Sequence, residues 1–187
     1  MDGADLLSRP ATLWSRATRR LMGVAGAFGL VGALRLADCE PAPPSPPPPG
    51  PVLHAKPVEG PCTYRDTYGA PRSGGRVHLG VDISAAEGND LYAVADGTIT
   101  KVYVAGVDAL AGNGVRLTQP DGHYYFYAHM QRVASGIQVG TRVTAGQLVG
   151  YLGQTGNAGG PHLHLEIHLP NGNPINPYPI VKYYGAC

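Results

Sequence analysis

Residues 162–169, HLHLEIHL, alternate polar and apolar side chains one for one. A period of two is the mark of a β-strand, whose successive side chains leave opposite faces. His162, His164, Glu166 and His168 therefore share one face. Other runs with strand character are LYAVA (91–95), GTITKVYVA (97–105), GVRLTQ (114–119), HYYFYAHM (123–130) and QLVGYLG (147–153). Turn-forming clusters separate them: DG at 96, GNG at 112, PDG at 120 and NAGG at 157. QPDGHYY reads as a hairpin joining strands 114–119 and 123–130. No stretch carries a helix signature. The pattern predicts an all-β domain, an antiparallel β-sandwich or partly closed barrel, that is, a barrel-sandwich hybrid.

Composition agrees with many turns: 27 Gly and 18 Pro, with eleven Tyr against two Phe and one Trp. Net charge is +1, and residues 52–187 hold nine acidic and nine basic side chains, so there is no basic stripe for a nucleic acid. AVADGTITKVYV and VGTRVTAGQLVGYLG resemble the hairpins of lipoyl- and biotinyl-type carriers. A carrier needs its lysine at a tight turn, however, and Lys101 lies inside a strand run, which excludes that function.

The first fifty residues have a different character. Arg16, Arg19 and Arg20 precede the apolar run Leu21–Leu34, too short for an ordinary spanning helix and patterned as an export signal, with a twin-arginine look at 18–22. LADC (36–39) resembles a bacterial lipobox, in which Cys39 becomes a lipidated N-terminus. Asp38 and Arg35 depart from that pattern, and without cleavage the segment would stay as a short membrane anchor. Residues 41–51 contain eight Pro in eleven positions and form an extended polyproline stalk of about 34 Å at roughly 3.1 Å per residue. The expected organisation is an export and lipoprotein-like segment at 1–39, a proline-rich linker at 40–51 and one domain at 52–187. The product would be exported to the cell envelope or periplasm and held at the membrane. With Cys39 lipidated, Cys62 and Cys187 form an even pair suited to a disulfide in an oxidising compartment.

The chemistry-bearing residues fall in three places. VHLGVDI holds His78 and Asp82 four apart, YFYAHM holds His129, and GPHLHLE holds His162 and His164 with Glu166 two further on. Singly, each has an ordinary explanation: a turn histidine, an outward-facing carboxylate, a half-buried strand imidazole, a polar solvent face. Together they are the donor set of a zinc site, and three protein ligands with one open position make a catalytic site rather than a structural one. The residues alone leave open which imidazoles bind the metal.

In order, spacing and flanking glycines, H-x-G-x-D at 78–82, Y-A-H at 127–129 and G-P-H-L-H-x-E at 160–166 resemble the LytM/lysostaphin-type zinc endopeptidases of bacterial cell walls. TYGAPR (67–72), GNGVRL and NPINP (173–177) fit as well, so the likeness covers about residues 64–178. The resemblance implies His78, Asp82 and His164 as ligands of Zn2+ in a groove on one sheet, and His129 and His162 as the catalytic pair. Gln119-Pro120 departs from relatives that carry a histidine before the DG turn, a residue outside both sets. Glu166 is expected to orient an imidazole, and His168 has no assigned role. Tyr125 and Tyr127 share the His129 face by alternation and line either the groove or the core.

The implied function is zinc-dependent hydrolysis of peptide crosslinks in peptidoglycan, at a bond involving D-alanine or, as in lysostaphin-like enzymes, glycine. With no H-E-x-x-H there is no glutamate base, so imidazoles must move the protons. The other function the resemblance allows is a non-catalytic regulator that activates cell-wall amidases, a role taken by members that have lost ligands. The expected partners are the peptidoglycan peptide and the membrane, with the protein a monomer.

Overall fold

In the computed structural model of the chain, residues 50–187 are described. The export segment, Cys39 and most of the proline-rich linker lie outside the described residues.

Strands appear where short apolar-polar alternations lie between turns. In chain order they are β1 (Thr63–Tyr64), β2 (Val81–Ser84), β3 (Asp90–Tyr92), β4 (Gly97–Tyr103), β5 (Asn113–Thr118), β6 (Tyr124–Met130), β7 (Arg132–Val133), β8 (Arg142–Val143), β9 (Leu148–Tyr151), β10 (His162–His168) and β11 (Pro174–Ile175). The main antiparallel sheet runs β1-β2-β10-β6-β5-β4-β8, with β11 beside β10; a second sheet runs β3-β9-β7. This is the expected all-β antiparallel architecture, with the 118–124 hairpin in place: Thr118 pairs with Tyr124.

Alternation places the core on one face of the main sheet. Leu163, Leu165 and Ile167 of β10, Val81 and Ile83 of β2, and Tyr125 and Tyr127 of β6 are all fully buried there. Each such aliphatic side chain contributes about 1.5–3 kcal/mol on leaving water. The Tyr127 hydroxyl is satisfied inside the core, donating to the Tyr92 carbonyl at 3.2 Å and accepting the Val94 N–H at 2.9 Å.

The helix the pattern did not predict is α1 (Tyr178–Tyr184). Pro177 and Pro179 make this stretch look like a turn. Proline is tolerated in a helix's first turn, where its missing N–H has no intrahelical partner to lose. Burial of Ile180 and Val181 then holds the short helix against the core, and Gly185 ends it at a φ of 93°. Beyond it, Cys187 forms a disulfide with Cys62, their Cα atoms 5.9 Å apart. The Val58 N–H donates to the Ala186 carbonyl at 3.1 Å, so both ends of the domain meet at the β1 edge of the main sheet.

Candidate active site

The outer face of the same strands carries the polar set. In β2, Val81 and Ile83 point into the core, so Asp82 points out; in β10 the same logic turns His162, His164 and Glu166 outward. The register makes His164 and Asp82 direct cross-strand partners. His78, on the loop entering β2, joins them. Its Nε2 lies 3.0 Å from Asp82 Oδ1 and 2.9 Å from His164 Nδ1, and His164 Nδ1 lies 3.0 Å from Asp82 Oδ1. Gly80 makes this convergence possible: a Cβ there would stand 2.6 Å from the Leu165 carbonyl oxygen and 2.7 Å from His164 Cε1.

The partners on the far side of each ring decide what the three converging atoms are. His78 Nδ1 is 3.0 Å from the Thr67 carbonyl, which can only accept, so the ring's proton sits on Nδ1 and Nε2 keeps its lone pair. His164 Nε2 donates to Glu166 Oε1 at 2.9 Å, leaving a lone pair on Nδ1. Two nitrogen lone pairs and a carboxylate oxygen therefore face one another about 3 Å apart with no proton required between them. A small cation satisfies that arrangement, and two imidazoles with one carboxylate suit a divalent metal. His78, Asp82 and His164 are the one group among the described residues whose donor atoms gather this way, all within 4.8 Å of one another.

Electrostatics follow the same demand. Burial opposes the charge on Asp82, but the hydrogen bonds and positive potential of His164 and His78 outweigh it and hold its carboxyl far below the usual carboxylate range. Burial likewise opposes charging Glu166, yet His164 and His168 bring it down to about 2. At His164 burial works against the cation, while Asp82 and Glu166 together push its proton affinity up.

His129 reaches the groove by breaking the strand's alternation. Strict alternation would bury it beside Tyr125 and Tyr127. Opposite it, two residues of β5 span three of β6, a β-bulge at Ala128–His129, and His129 has a φ of 64°, the only positive value at a non-glycine among the described residues. Gly114 permits the bulge, since a Cβ there would collide with the Tyr127 carbonyl oxygen. The flipped ring donates from Nδ1 to the Thr155 carbonyl at 2.9 Å, freeing Nε2. His162 does the same through the Gly160 carbonyl at 2.8 Å. The two rings lie 4.7 Å apart, centroid to centroid, and His162 Nε2 is 3.7 Å from Asp82 Oδ1. Burial pushes His129 down to about 4, with the Thr155 carbonyl pulling weakly the other way, so its imidazole is neutral at neutral pH.

All five residues expected from the sequence (His78, Asp82, His129, His162 and His164) line one open cavity of about 570 Å³. Phe126 and Ala128 form its floor. Tyr125 and Tyr127 do not line it: the bulge separates them from His129, and both belong to the core. Glu166 holds His164 as expected. His168 lies between the other Glu166 oxygen, 2.5 Å from its Nε2, and the Gly172 carbonyl, 2.9 Å from its Nδ1, and stacks on Tyr124 at 4.3 Å. Sequence reasoning missed Thr67, Thr155 and Arg72. Thr155 acts through its backbone carbonyl, which leaves no trace in residue type, and Thr67 through its carbonyl and its hydroxyl, each 3.0 Å from His78 Nδ1; Arg72, whose Nη2 lies 2.6 Å from Asp82 Oδ2, sat in the TYGAPR match without a role.

An antiparallel β fold with an imidazole–carboxylate cluster in a surface groove and two further imidazoles beside it is an arrangement suited to a metallopeptidase. Residues 76–177 match the family model Peptidase family M23, and the chain belongs to that family. It is 36% identical over 102 residues to the Vibrio cholerae protein named peptidoglycan DD-endopeptidase ShyC, covering 54% of this chain and 22% of that protein. The matched region spans between a fifth and about two fifths of the length of the curated relatives. Among solved structures, the catalytic domain of the antimicrobial peptidase lysostaphin from Staphylococcus simulans superposes with a TM-score of 0.56 at 30% identity, over 65% of this chain and 92% of that one. A zinc-containing peptidase from Vibrio cholerae gives a TM-score of 0.55 at 26% identity, over 67% and 39%.

Proposed function

We propose that the chain is a zinc-dependent endopeptidase that hydrolyses peptide crosslinks of peptidoglycan. The observation that carries this reading is the meeting, in one groove, of three proton-free donor atoms and two imidazoles whose Nε2 atoms are left open. His78 Nε2, Asp82 Oδ1 and His164 Nδ1 hold the metal, and zinc supplies Lewis acidity toward water and an amide carbonyl. The chain's own residues do the rest. Glu166 and the Thr67 carbonyl fix the ligand rings and raise their basicity. His129, kept neutral by burial, takes the proton of the attacking water at Nε2. His162, whose Nε2 is likewise open, picks up the proton released from the water and hands it to the departing amide nitrogen. Phe126 and Ala128 present a flat apolar floor on which an extended peptide lies. The peptidoglycan substrate rests on the names of the relatives.

Digestion of purified sacculi by the intact chain tests the proposal. Mass spectrometry should find crosslinked fragments cut at a peptide bond, with cutting abolished by a chelator and restored by zinc. Zinc bound stoichiometrically with no fragment released refutes it, and stimulation of an added amidase in that case identifies a regulator. We also propose that residues 1–39 export the chain and anchor it through a lipid on Cys39, with 40–51 as the spacer that lets the domain of 52–187 reach the wall. An acylated N-terminal Cys39 in membrane-extracted protein is the expected mass; an intact Met1 overturns it.

A further inference from the structure

Four permanently charged side chains line the groove: Asp82, Glu166, Arg72 and Arg76. Three have partners. Asp82 faces the imidazole cluster and accepts from Arg72 at 2.6 Å, and Glu166 bridges His164 and His168. Arg76 has no carboxylate within ion-pair distance among the described residues. Its Nε and Nη2 donate only to the carbonyl and hydroxyl of Ser73, at 3.1 and 3.3 Å. A guanidinium has five N–H donors, and these two bonds orient the fork without using it up.

The segment carrying it is held in place. The Arg72 N–H donates to the Arg76 carbonyl at 2.9 Å, Pro71 pairs with Val77, and the His78 N–H donates to the Ala70 carbonyl at 2.9 Å. Two residues beyond Arg76 comes His78, and both side chains line the groove. Leu110 and Ala111 add apolar lining to the same groove. Of its four charged side chains, the one with no partner of opposite sign is a cation.

We propose that Arg76 forms a subsite for a free carboxylate of the peptide substrate, close to the scissile bond. This rests on the peptidase reading above and narrows it. A stem peptide with an unamidated carboxyl suits this lining, with its carboxylate on Arg76 and an aliphatic side chain against Leu110. A bridge made only of glycine offers neither group.

Two crosslinked muropeptides that differ only in whether the glutamyl α-carboxyl is free or amidated test the subsite. The zinc-loaded chain should cleave the free-carboxyl form roughly 10-fold better in kcat/KM, an advantage in KM that shrinks with added salt. Arg76→Gln should bring the ratio of the two substrates to within about 2-fold, and Arg76→Lys should keep part of it. A wild-type ratio near one, or a ratio that survives in Arg76→Gln, overturns the proposal. If neither substrate is cleaved, the peptidase reading fails, and calorimetric binding of the same two muropeptides decides the subsite by itself. A preference for the free carboxyl that Arg76→Gln abolishes supports it, while equal binding or none refutes it.

Discussion

Replacing Gly80 by alanine adds one methyl group and should weaken the proposed metal site without substituting any of its donors. The new Cβ would stand 2.6 Å from the Leu165 carbonyl oxygen and 2.7 and 2.9 Å from two atoms of the His164 ring. Ordinary contacts begin near 3.4 Å, so the methyl group must open a gap of about 0.7 Å between the 78–82 segment and β10, or tilt the imidazole. The carbonyl belongs to a paired strand and cannot yield, since Leu165 is bonded in register to both Val81 and Tyr127. The ring is the softer element, and moving it breaks its 2.9 Å bond to Glu166 as well as its aim at the metal. Overpacking of this kind costs about 1–3 kcal/mol, equivalent to a fall in Tm of roughly 3–10 °C for a domain of this size. Loss of the orienting contact should weaken zinc binding about 10–100-fold. Competition with a chromogenic chelator measures the affinity, and differential scanning fluorimetry of the metal-free protein measures the stability. Gly160→Ala is the control, because a Cβ there meets nothing within 4 Å. Wild-type zinc affinity in Gly80→Ala, with Tm within about 1 °C, would refute the claim that this glycine sets the approach of the ligands.

His164→Ala should lose most of its zinc. His162→Ala should keep close to one ion per chain while hydrolysis falls about 10²–10⁴-fold; metal analysis of both, beside their rates, checks the division of roles, and the reverse pattern would show it inverted. His129 sits at about 4 in the folded domain against an ordinary 6.5, so between these values the unfolded chain binds the extra proton and the fold does not. Its contribution to stability is fully present above pH 6.5 and is lost as pH falls toward 4. His129→Asn, whose side chain tolerates the positive φ, should flatten that part of the urea-midpoint profile of the metal-free domain. Reduction of the Cys62–Cys187 bridge releases a 125-residue separation and should destabilise the domain by up to about 4–5 kcal/mol, read as a lower urea midpoint. An unchanged midpoint would mean that the denatured chain is not constrained by it.

Legibility in the sequence divides along a physical line. The face shared by His162, His164 and Glu166 was readable because a period of two survives in β10 from end to end. Asp82 could be oriented from Val81 and Ile83 on either side of it. His129 defeats the same rule: alternation groups it with Tyr125 and Tyr127, and only the bulge opposite Gly114, a property of two paired strands, turns it around. Thr155 stayed invisible because its carbonyl, not its side chain, holds the imidazole, and Thr67 because its contact with His78, through carbonyl and hydroxyl together, depends on a fold that brings residues eleven apart into register. Helix α1 was hidden by Pro177 and Pro179, which break a helix in its middle and suit it at its start. Ala93–Ala95 shows the opposite failure. The LYAVA run looks like one strand, but pairing ends at Tyr92 and the three residues that follow are buried without extending the ladder.

The joining of Cys62 to Cys187 has a consequence for how such a domain can be moved between proteins. The bridge fixes Cys187 at 5.9 Å, Cα to Cα, from Cys62, while the chain ahead of Cys62 is itself part of the domain, with Leu53 and Val58 in its core. A transplanted copy must therefore begin ahead of Leu53, and its C-terminal helix stays tied to the β1 edge by the bridge. Its groove, floored by strands in the interior of the main sheet, would arrive intact with the graft, whatever the recipient does around it.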